Sequence, residues 1–423
     1  MSDAPVTTIS RDLIRQCVQC GMCLTACPTF RLTGSEPDSP RGRIFQMDLV
    51  RKGEVAPDDP DFQQHIDFCL GCRACESACP SGVQYGQLFE QARAVSPARA
   101  PITVKGLRWL IGRRWGQRVF GQLTRLYQKT GVQWLAQRTG ILRLAPHSLR
   151  EADAVLAPLE GGLFVGRLPA LVPAVGQRRY RVAFLEGCVM AEFMPRTNRD
   201  TVEVLALNGC EVLVPRGQGC CGALHLHGGE KEQARELARR NIEVFEGFEV
   251  DAILSNSAGC GAALKEYGHL FDDPEWRDRA RTFAARVRDV QEFLSEVGLS
   301  LEPGPLDLTI TYQDACHLAH GQRVREQPRE LLLSIPGLEL VEMPGSDSCC
   351  GSAGTYNLQQ HAASMQLLDE KLAAIGSTGA TVVAAANPGC LMQIAAGARR
   401  RGLPLSAVHP MSLLARAYRQ AGR

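Results

Sequence analysis

Apolar residues in the second half of the chain come in short blocks, and the order of blocks occurs twice. YRVAFLEGCV reads as a buried strand running into Cys188, and the pattern over 197–208 predicts a helix. CEVLVPRGQGCCG predicts a second strand leading to Cys220, Cys221 and Gly222. A helix over 230–245 follows, then DAILSNSAGCG, a strand at 251–255 that ends just before Cys260. The second copy runs LTITYQDACH to Cys316, LELVEMPGSDSCCG to Cys349 and Cys350, and ATVVAAANPGC to Cys390. Between the cysteine landmarks lie 31 and 38 residues in copy one, 32 and 39 in copy two, a spacing that marks a duplication. Strand, cysteine and helix in alternation predict parallel α/β units with their thiols on loops at the strand ends. Residues 272–297 read as one charged helix between the copies, LPLSAVHP as the last strand and 411–420 as the closing helix.

The first half has a different pattern. Residues 39–50 predict a short helix after the turn at Ser39-Pro40, and 51–62 a surface loop. Leu107, Leu110, Ile111, Trp115, Val119 and Leu123 recur at helical spacing, in two or three helices interrupted near Gly121 and Gly131. Residues 151–179, rich in Pro and Gly, predict a linker.

Two cysteine runs dominate the first eighty residues: Cys17, Cys20, Cys23, Cys27 and Cys69, Cys72, Cys75, Cys79. Each reads C-x2-C-x2-C-x3-C and ends in proline, the two-cluster bacterial ferredoxin pattern. Three thiolates at this spacing wrap one iron-sulfur cube, and the fourth ligates the other cube. The spacing therefore assigns Cys17, Cys20, Cys23 and Cys79 to cluster one, and Cys69, Cys72, Cys75 and Cys27 to cluster two, both [4Fe-4S]. Two structural zinc sites are the competing reading; the repeated C-P ending argues against them. Arg41 and Arg43 face either a cluster, a partner or solvent. Ile44, Phe45, Phe68 and Leu70 are candidates for keeping water from the clusters, and Gly71 for a tight turn between ligands.

Composition narrows the classes. With 423 residues and 45% hydrophobic content the chain supports several packed domains. A net charge of +2 gives no reason to expect nucleic acid. Seventeen cysteines in metal-type motifs point to reduced thiolates and a cytoplasmic setting, and no signal-type or membrane-spanning apolar run is visible. From Gln91 to Arg150 there is no Asp or Glu, yet twelve Lys or Arg and three tryptophans, Trp109, Trp115 and Trp134. Such a stretch suits an anionic membrane surface or an acidic partner, or it is a scaffold packing head to body with solvated arginines.

Each copy of the body offers four cysteines: Cys188, Cys220, Cys221, Cys260 and Cys316, Cys349, Cys350, Cys390. They suit one further cluster per copy, one site shared across a pseudo-twofold axis, or a thiol site exchanging with disulfides. Cys210, which precedes a strand, reads as a buried small hydrophobe. His317 is the first candidate for a role at these loops; for His225, His227, His320 and His409 the stronger reading is capping a helix or lining a cleft.

FLEGCV, GCCGALHLHGG and VKGLRWL, with the cysteine head and the two CCG units, resemble the iron-sulfur subunit of bacterial glycolate oxidase. The chain is also similar to the iron-sulfur subunit of anaerobic glycerol-3-phosphate dehydrogenase and to heterodisulfide reductase subunits. The wider family ends each unit in C-x-x-C; Ser257 and Asn387 replace the first of those cysteines here, which implies an ordinary cluster or a partly occupied site rather than a five-cysteine cluster. The resemblance implies an α/β chain: a helical two-[4Fe-4S] ferredoxin-like domain (1–95), a basic Trp-rich helical connector and linker (96–179), and two cysteine-rich CCG domains (180–300 and 301–423). It implies one or two further clusters in the body, FAD on partner subunits, no substrate catalysis by this chain alone, and a quinone acceptor at the cytoplasmic face of the inner membrane. No G-x-G-x-x-G nucleotide fingerprint is present, consistent with a flavin held elsewhere. The alternatives are a glycerol-3-phosphate or D-lactate dehydrogenase subunit, or a thiol-disulfide enzyme.

Overall fold

Each copy of the body folds on a short sheet whose central strands are largely buried, which is why they read as continuous apolar runs. A computed structural model gives the fold and describes residues 9–96, 100–145, 150, 153, 156 and 158–423. In copy one, β1 (Leu171–Val172), β2 (Tyr180–Phe184), β3 (Cys210–Leu213), β4 (Ala252–Ser255) and β5 (Val287–Asp289) lie in the order β1-β3-β2-β4-β5. All pairs are parallel except the β1–β3 edge. In copy two, β6 (Leu308–Gln313), β7 (Leu338–Leu340), β8 (Val382–Ala385) and β9 (Ser406–Val408) lie in the order β7-β6-β8-β9, all parallel. Leaving β1 aside, the two topologies are the same.

That equivalence corrects the reading of 272–297 as one helix. The segment is a helix over Pro274–Ala285, then β5, then a helix over Val290–Val297. β5 is the counterpart of β9, but three residues carry too little alternation to show as a strand. Asp289 ends it and starts the next helix through a capping box with Glu292. β1 inside the expected linker is likewise an addition, a two-residue edge strand pairing Leu171 with Leu213.

The copies interlock reciprocally. The final helix of copy one packs on the Glu326–Leu333 helix of copy two, and the final helix of copy two, Pro410–Gln420, packs on Pro195–Leu207 of copy one. Val182, Phe184, Ile310, Tyr312, Leu414 and Tyr418 belong to one shared core. The last cysteine loops also touch, Ala258 N donating to Ala386 O at 3.0 Å.

The head is helical: α1 (Arg11–Arg15), α2 (Pro28–Thr33), α3 (Pro40–Lys52), α4 (Pro60–Asp67), α5 (Ala74–Ser77) and α6 (Tyr85–Val95). Ser39 caps α3 by accepting from Gly42 N at 2.9 Å. The expected loop at 51–62 shrinks to 53–59, because Asp59 accepts from the Asp61 and Phe62 amides and starts α4 early. The connector follows as α7 (Ile102–Ile111), α8 (Arg114–Lys129) and α9 (Val132–Thr139). α8 runs unbroken through Gly121, contrary to expectation; that glycine serves close packing, since a Cβ there would meet Glu192 Oε2 at 2.7 Å.

His409 caps the closing helix and ties it to copy one. Its Nδ1 accepts from Met411 N at 3.1 Å, and its Nε2 donates to Asn256 O at 2.8 Å. A proton on Nδ1 would oppose the Met411 N–H. Burial pushes His409 down to about 4. As pH falls below the ordinary value of about 6.5 the unfolded chain takes this proton first, so the native state loses stability between about pH 6.5 and 4. At pH 5 the expected loss is about 2 kcal/mol. Chemical denaturation at pH 7 and 5 should show this slope, and His409→Gln should flatten it; an unchanged slope would refute the role.

Candidate iron-sulfur centres

The head core of Ile44, Met47, Phe62, Ile66, Leu88 and Phe89 is the floor on which Cys17, Cys23, Cys69, Cys75 and Cys79 rest. One small cavity is lined by Cys27 from the first run and by Cys69, Cys72 and Cys75 from the second, with Arg43 and Tyr85. Cys27 thus stands beside thiols of the other run. Cys17 is the counterpart: burial pushes its thiol up, and Cys79 and Cys20 are among the thiols acting on it. Cys20 is exposed, Cys72 and Cys75 buried.

Arg43 is fully buried, at 0% exposure, which overturns the solvated reading for this residue. It donates to His65 O at 2.7 Å and to Thr29 Oγ1 at 3.1 Å. Its Nη2 lies 3.6 Å from Asp38 Oδ1 and has no hydrogen-bond partner. Burial opposes its charge, but Cys69, Tyr85 and Cys27 reinforce it. An orphaned buried guanidinium nitrogen beside four thiols is what an anionic thiolate-held cluster would satisfy, so the residues present fit that group. Gly71 N points at Cys69 Sγ, 3.4 Å away, and Gly71 takes φ +63°, a conformation open to glycine. Arg41 stays near the surface, bonded to Glu36 and to Gln19 O. Of the four expected shielding residues, Ile44 and Leu70 are buried and Phe68 half-buried. Phe45 points out at 58% exposure, because α3 turns that position away from the core.

In the body the thiols sit at the carboxyl ends of the strands flanking the point where each sheet reverses direction, the usual crevice of such sheets. Cys188 follows β2, Cys220 and Cys221 follow β3, and Cys260 lies in the helix after β4; Cys316, Cys349, Cys350 and Cys390 take the same places in copy two. The CCG glycines explain the bend. Gly222 and Gly351 have φ +87° and +84°, and a Cβ would meet Ala234 O at 3.3 Å or Ser364 O at 2.4 Å. All eight thiols line one apolar-walled cavity of about 290 Å³, together with His227 and His317. Cys188 Sγ is 3.5 Å from Cys220 Sγ. Hydrogen bonds from Cys188 and Cys221 hold Cys220 well down, and bonds from Cys349 do the same for Cys316 and, with Cys390, for Cys350. The donor sets are all sulfur, the soft type that takes iron-sulfur, zinc or copper(I).

The histidines differ from one another. His317 Nδ1 is 3.6 Å from Cys316 Sγ, and its ring lies 5.3 Å from that of His227. Burial, then His317, pushes His227 down to about 3. His320 is structural: Nδ1 takes contacts from Ser77 Oγ at 2.8 Å and Arg325 Nη2 at 2.9 Å, while Nε2 donates to Asp347 O. His225 is buried, 3.9 Å from Glu230. Cys210 begins β3, fully buried, and burial pushes it to about 12.

Sequence reasoning left Arg43 open between cluster, partner and solvent, and missed Arg73, Tyr85 and Lys371. Arg73, at φ +66° between two head cysteines, bonds Glu76 and, across the interface, Glu266 of copy one at 2.6 Å. Lys371 is buried below the second set of thiols and donates to Gly345 O at 2.7 Å. It stands seven residues after Ser364, as Asn241 stands seven after Ala234 in copy one. Laying the repeats on one another exposes that change from a neutral to a cationic neighbour.

A helical head with two four-cysteine runs, joined to paired CCG units that gather their thiols in one cavity, defines an iron-sulfur electron-transfer class of protein. Residues 14–83 match the 4Fe-4S dicluster domain, 182–265 and 310–395 the cysteine-rich CCG domain, and 106–156 the linker region of the glycolate oxidase iron-sulfur subunit. The chain is 42% identical to the probable glycolate oxidase iron-sulfur subunit of Bacillus subtilis (strain 168), over 94% of this chain and 92% of that one. It is 33% identical to the glycolate oxidase iron-sulfur subunit of Escherichia coli (strain K12), over 92% and 91%. Lactate utilization protein A of B. subtilis is 34% identical over 55% of this chain and 98% of its own length. The chain belongs to the glycolate oxidase iron-sulfur subunit family.

Removing one partner from a buried charge network costs about 3–5 kcal/mol. Arg43→Met should therefore lower head stability by about that amount, read as an early unfolding transition, with Arg43→Lys between it and wild type. Equal transitions in all three would show that Arg43 does not hold the two cysteine segments together.

Proposed function

We propose that this chain is the electron-transfer subunit of a glycolate-oxidising complex, receiving electrons at its head and delivering them from its body. The observation that carries this reading is the seam between the two. Cys72 and Leu70 of the head pack in one cluster with Cys349 and Tyr356 of copy two, with Cys316 against it. Burial, and next the neighbouring Cys316, pushes the Cys72 thiol well up. The thiols thus form an uninterrupted series: the exposed Cys20 set, the Cys72 set, the copy-two set, and the copy-one set across the shared cavity.

Cys17, Cys20, Cys23 and Cys79 would hold one [4Fe-4S] cluster, and Cys27, Cys69, Cys72 and Cys75 the second; the body thiols would hold further iron-sulfur groups. Bound clusters supply one-electron chemistry at a potential set by ligation, hydrogen bonds to sulfur and burial. The chain's own part is to fix the thiolates, exclude water with Leu70 and Phe89, and lock head to body through Arg73–Glu266 and Ser77–His320. Val18 and Met22, 67% and 61% exposed near Cys20, suit contact with an FAD-bearing subunit that oxidises glycolate to glyoxylate. The acceptor is a quinone, reached from the cytoplasmic side of the membrane. Among the described residues no helix is long and apolar enough to cross it.

Two experiments test this. Iron per chain in anaerobically purified protein should exceed eight, and Cys72→Ser should lose about four irons, because ligation and folding are coupled. A content of eight would confine clusters to the head; unchanged iron in the variant would contradict the assignment. In the purified complex, glycolate should bleach the cluster absorbance faster than D-lactate or glycerol-3-phosphate. Preference for either rival would transfer the chain to that dehydrogenase, and full activity without clusters would end the relay proposal.

A further inference from the structure

The connector helix α8 is inside out. It buries Gly116, Gln117, Gly121, Thr124 and Arg125 against the body. Trp115, Val119, Leu123 and Leu126 face solvent at 40–60% exposure, recurring every three or four residues as a single stripe. The inward polarity is satisfied: Arg125 reaches Glu160 O and Glu192 O, and Gln117 donates to Ile111 O at 2.6 Å. The helix is therefore seated correctly, and its apolar side is left without cover from the described residues. α7 extends the same surface. Trp109, 51% exposed, stands edge-on to Trp115 at 5.7 Å, and the Arg113 guanidinium lies 4.0 Å above the Trp109 ring. Lys105 and Arg113 are exposed beside these rings, and Arg118 is exposed at the edge of the face, where it also lines a pocket with Glu186 and Glu192 of the body; the stretch from 91 to 150 itself has no acidic residue.

We propose that the outer face of α7–α8 docks this chain on an anionic lipid surface, with Trp109, Trp115 and Leu123 entering the headgroup boundary and Lys105, Arg113 and Arg118 meeting lipid phosphates. Exposed tryptophans interleaved with cations, on helices that carry no carboxylate of their own, are the chemistry of a membrane interface. The inner side of the same helices favours lipid over a protein partner. Leu107 and Ile111 of α7 pack against Cys188, Cys220 and Leu224 of copy one. Docking would put the last set of thiols one helix thickness, about 10 Å, from the lipid where a quinone dissolves. The proposal deepens the electron-delivery reading and rests on it for that acceptor.

The test uses the full chain, purified without air, and sedimentation with vesicles of phosphatidylcholine alone or mixed with phosphatidylglycerol. Wild type should bind the anionic vesicles, weakly the neutral ones, and release at high salt. Arg113→Gln with Arg118→Gln should lower partition about thirtyfold, at about fivefold per cation. Trp109→Ser with Trp115→Ser should lower it about tenfold or more, and Leu123→Ser is the milder variant should the pair fail to fold. Iron content and circular dichroism report folding. No binding by wild type, or equal binding by all folded variants, would overturn the proposal. So would variants that bind vesicles normally but lose a co-purifying flavin subunit, since the face would then cover protein. Dye reduction by glycolate without vesicles is read separately: binding with no electron flow would leave the docking intact and remove the relay reading.

Discussion

Buried thiols from distant parts of the chain must be held close together without water, and the seam between Cys72 and the Cys316–Cys349 loop is where that requirement is hardest to meet. Each thiolate adds charge to a dry interior, where an unpaired charge is expensive. The chain answers with a few buried cations and many fixed dipoles. Arg43 sits beside Cys27 and Cys69, Lys371 beneath the copy-two thiols, and Arg73 spans head and body. Losing the seam would part the head thiols from those of the body.

Duplication supplies the body's geometry, and small departures from symmetry give it direction. Equivalent sheets place equivalent thiols at one cavity, and reciprocal packing of the final helices fixes the copies face to face. Lys371 takes the place of Asn241, so the copy-two thiols, on the side that meets the head, have a buried amine beside them that the copy-one thiols lack. His227 and His317 lie ring beside ring in the cavity between the two sets, whereas the equivalent positions hold Tyr356, whose ring faces Phe68 of the head, and Val189. The first copy, by contrast, meets α7 and the apolar surface beyond it.

Much of this was legible in the sequence, because cysteine spacing and strand patterns are local signals. Each ferredoxin-type run and most strands of the sheets follow from residues within a dozen positions of one another, and the repeat from cysteine intervals of 31–39 residues that recur. What escaped depends on tertiary contact. β5 is three residues long and becomes a strand only by pairing with β4. Gly121 looked like a helix break but is a close approach to Glu192. Arg43 stood open between a cluster, a partner and solvent, and only the packing of α4 and the cysteine loops over it decides for burial. The apolar positions of α8 were legible as a stripe, but periodicity cannot say which way a stripe faces, and here it faces out.

The most direct measurement is an anaerobic crystal structure with anomalous differences collected across the iron edge. Iron is expected between Cys27, Cys69, Cys72 and Cys75, at the Cys17–Cys79 set, and in the body cavity beside Cys316 and Cys349. Zinc at the head positions, or an iron-free body cavity behind Cys72, would contradict that expectation.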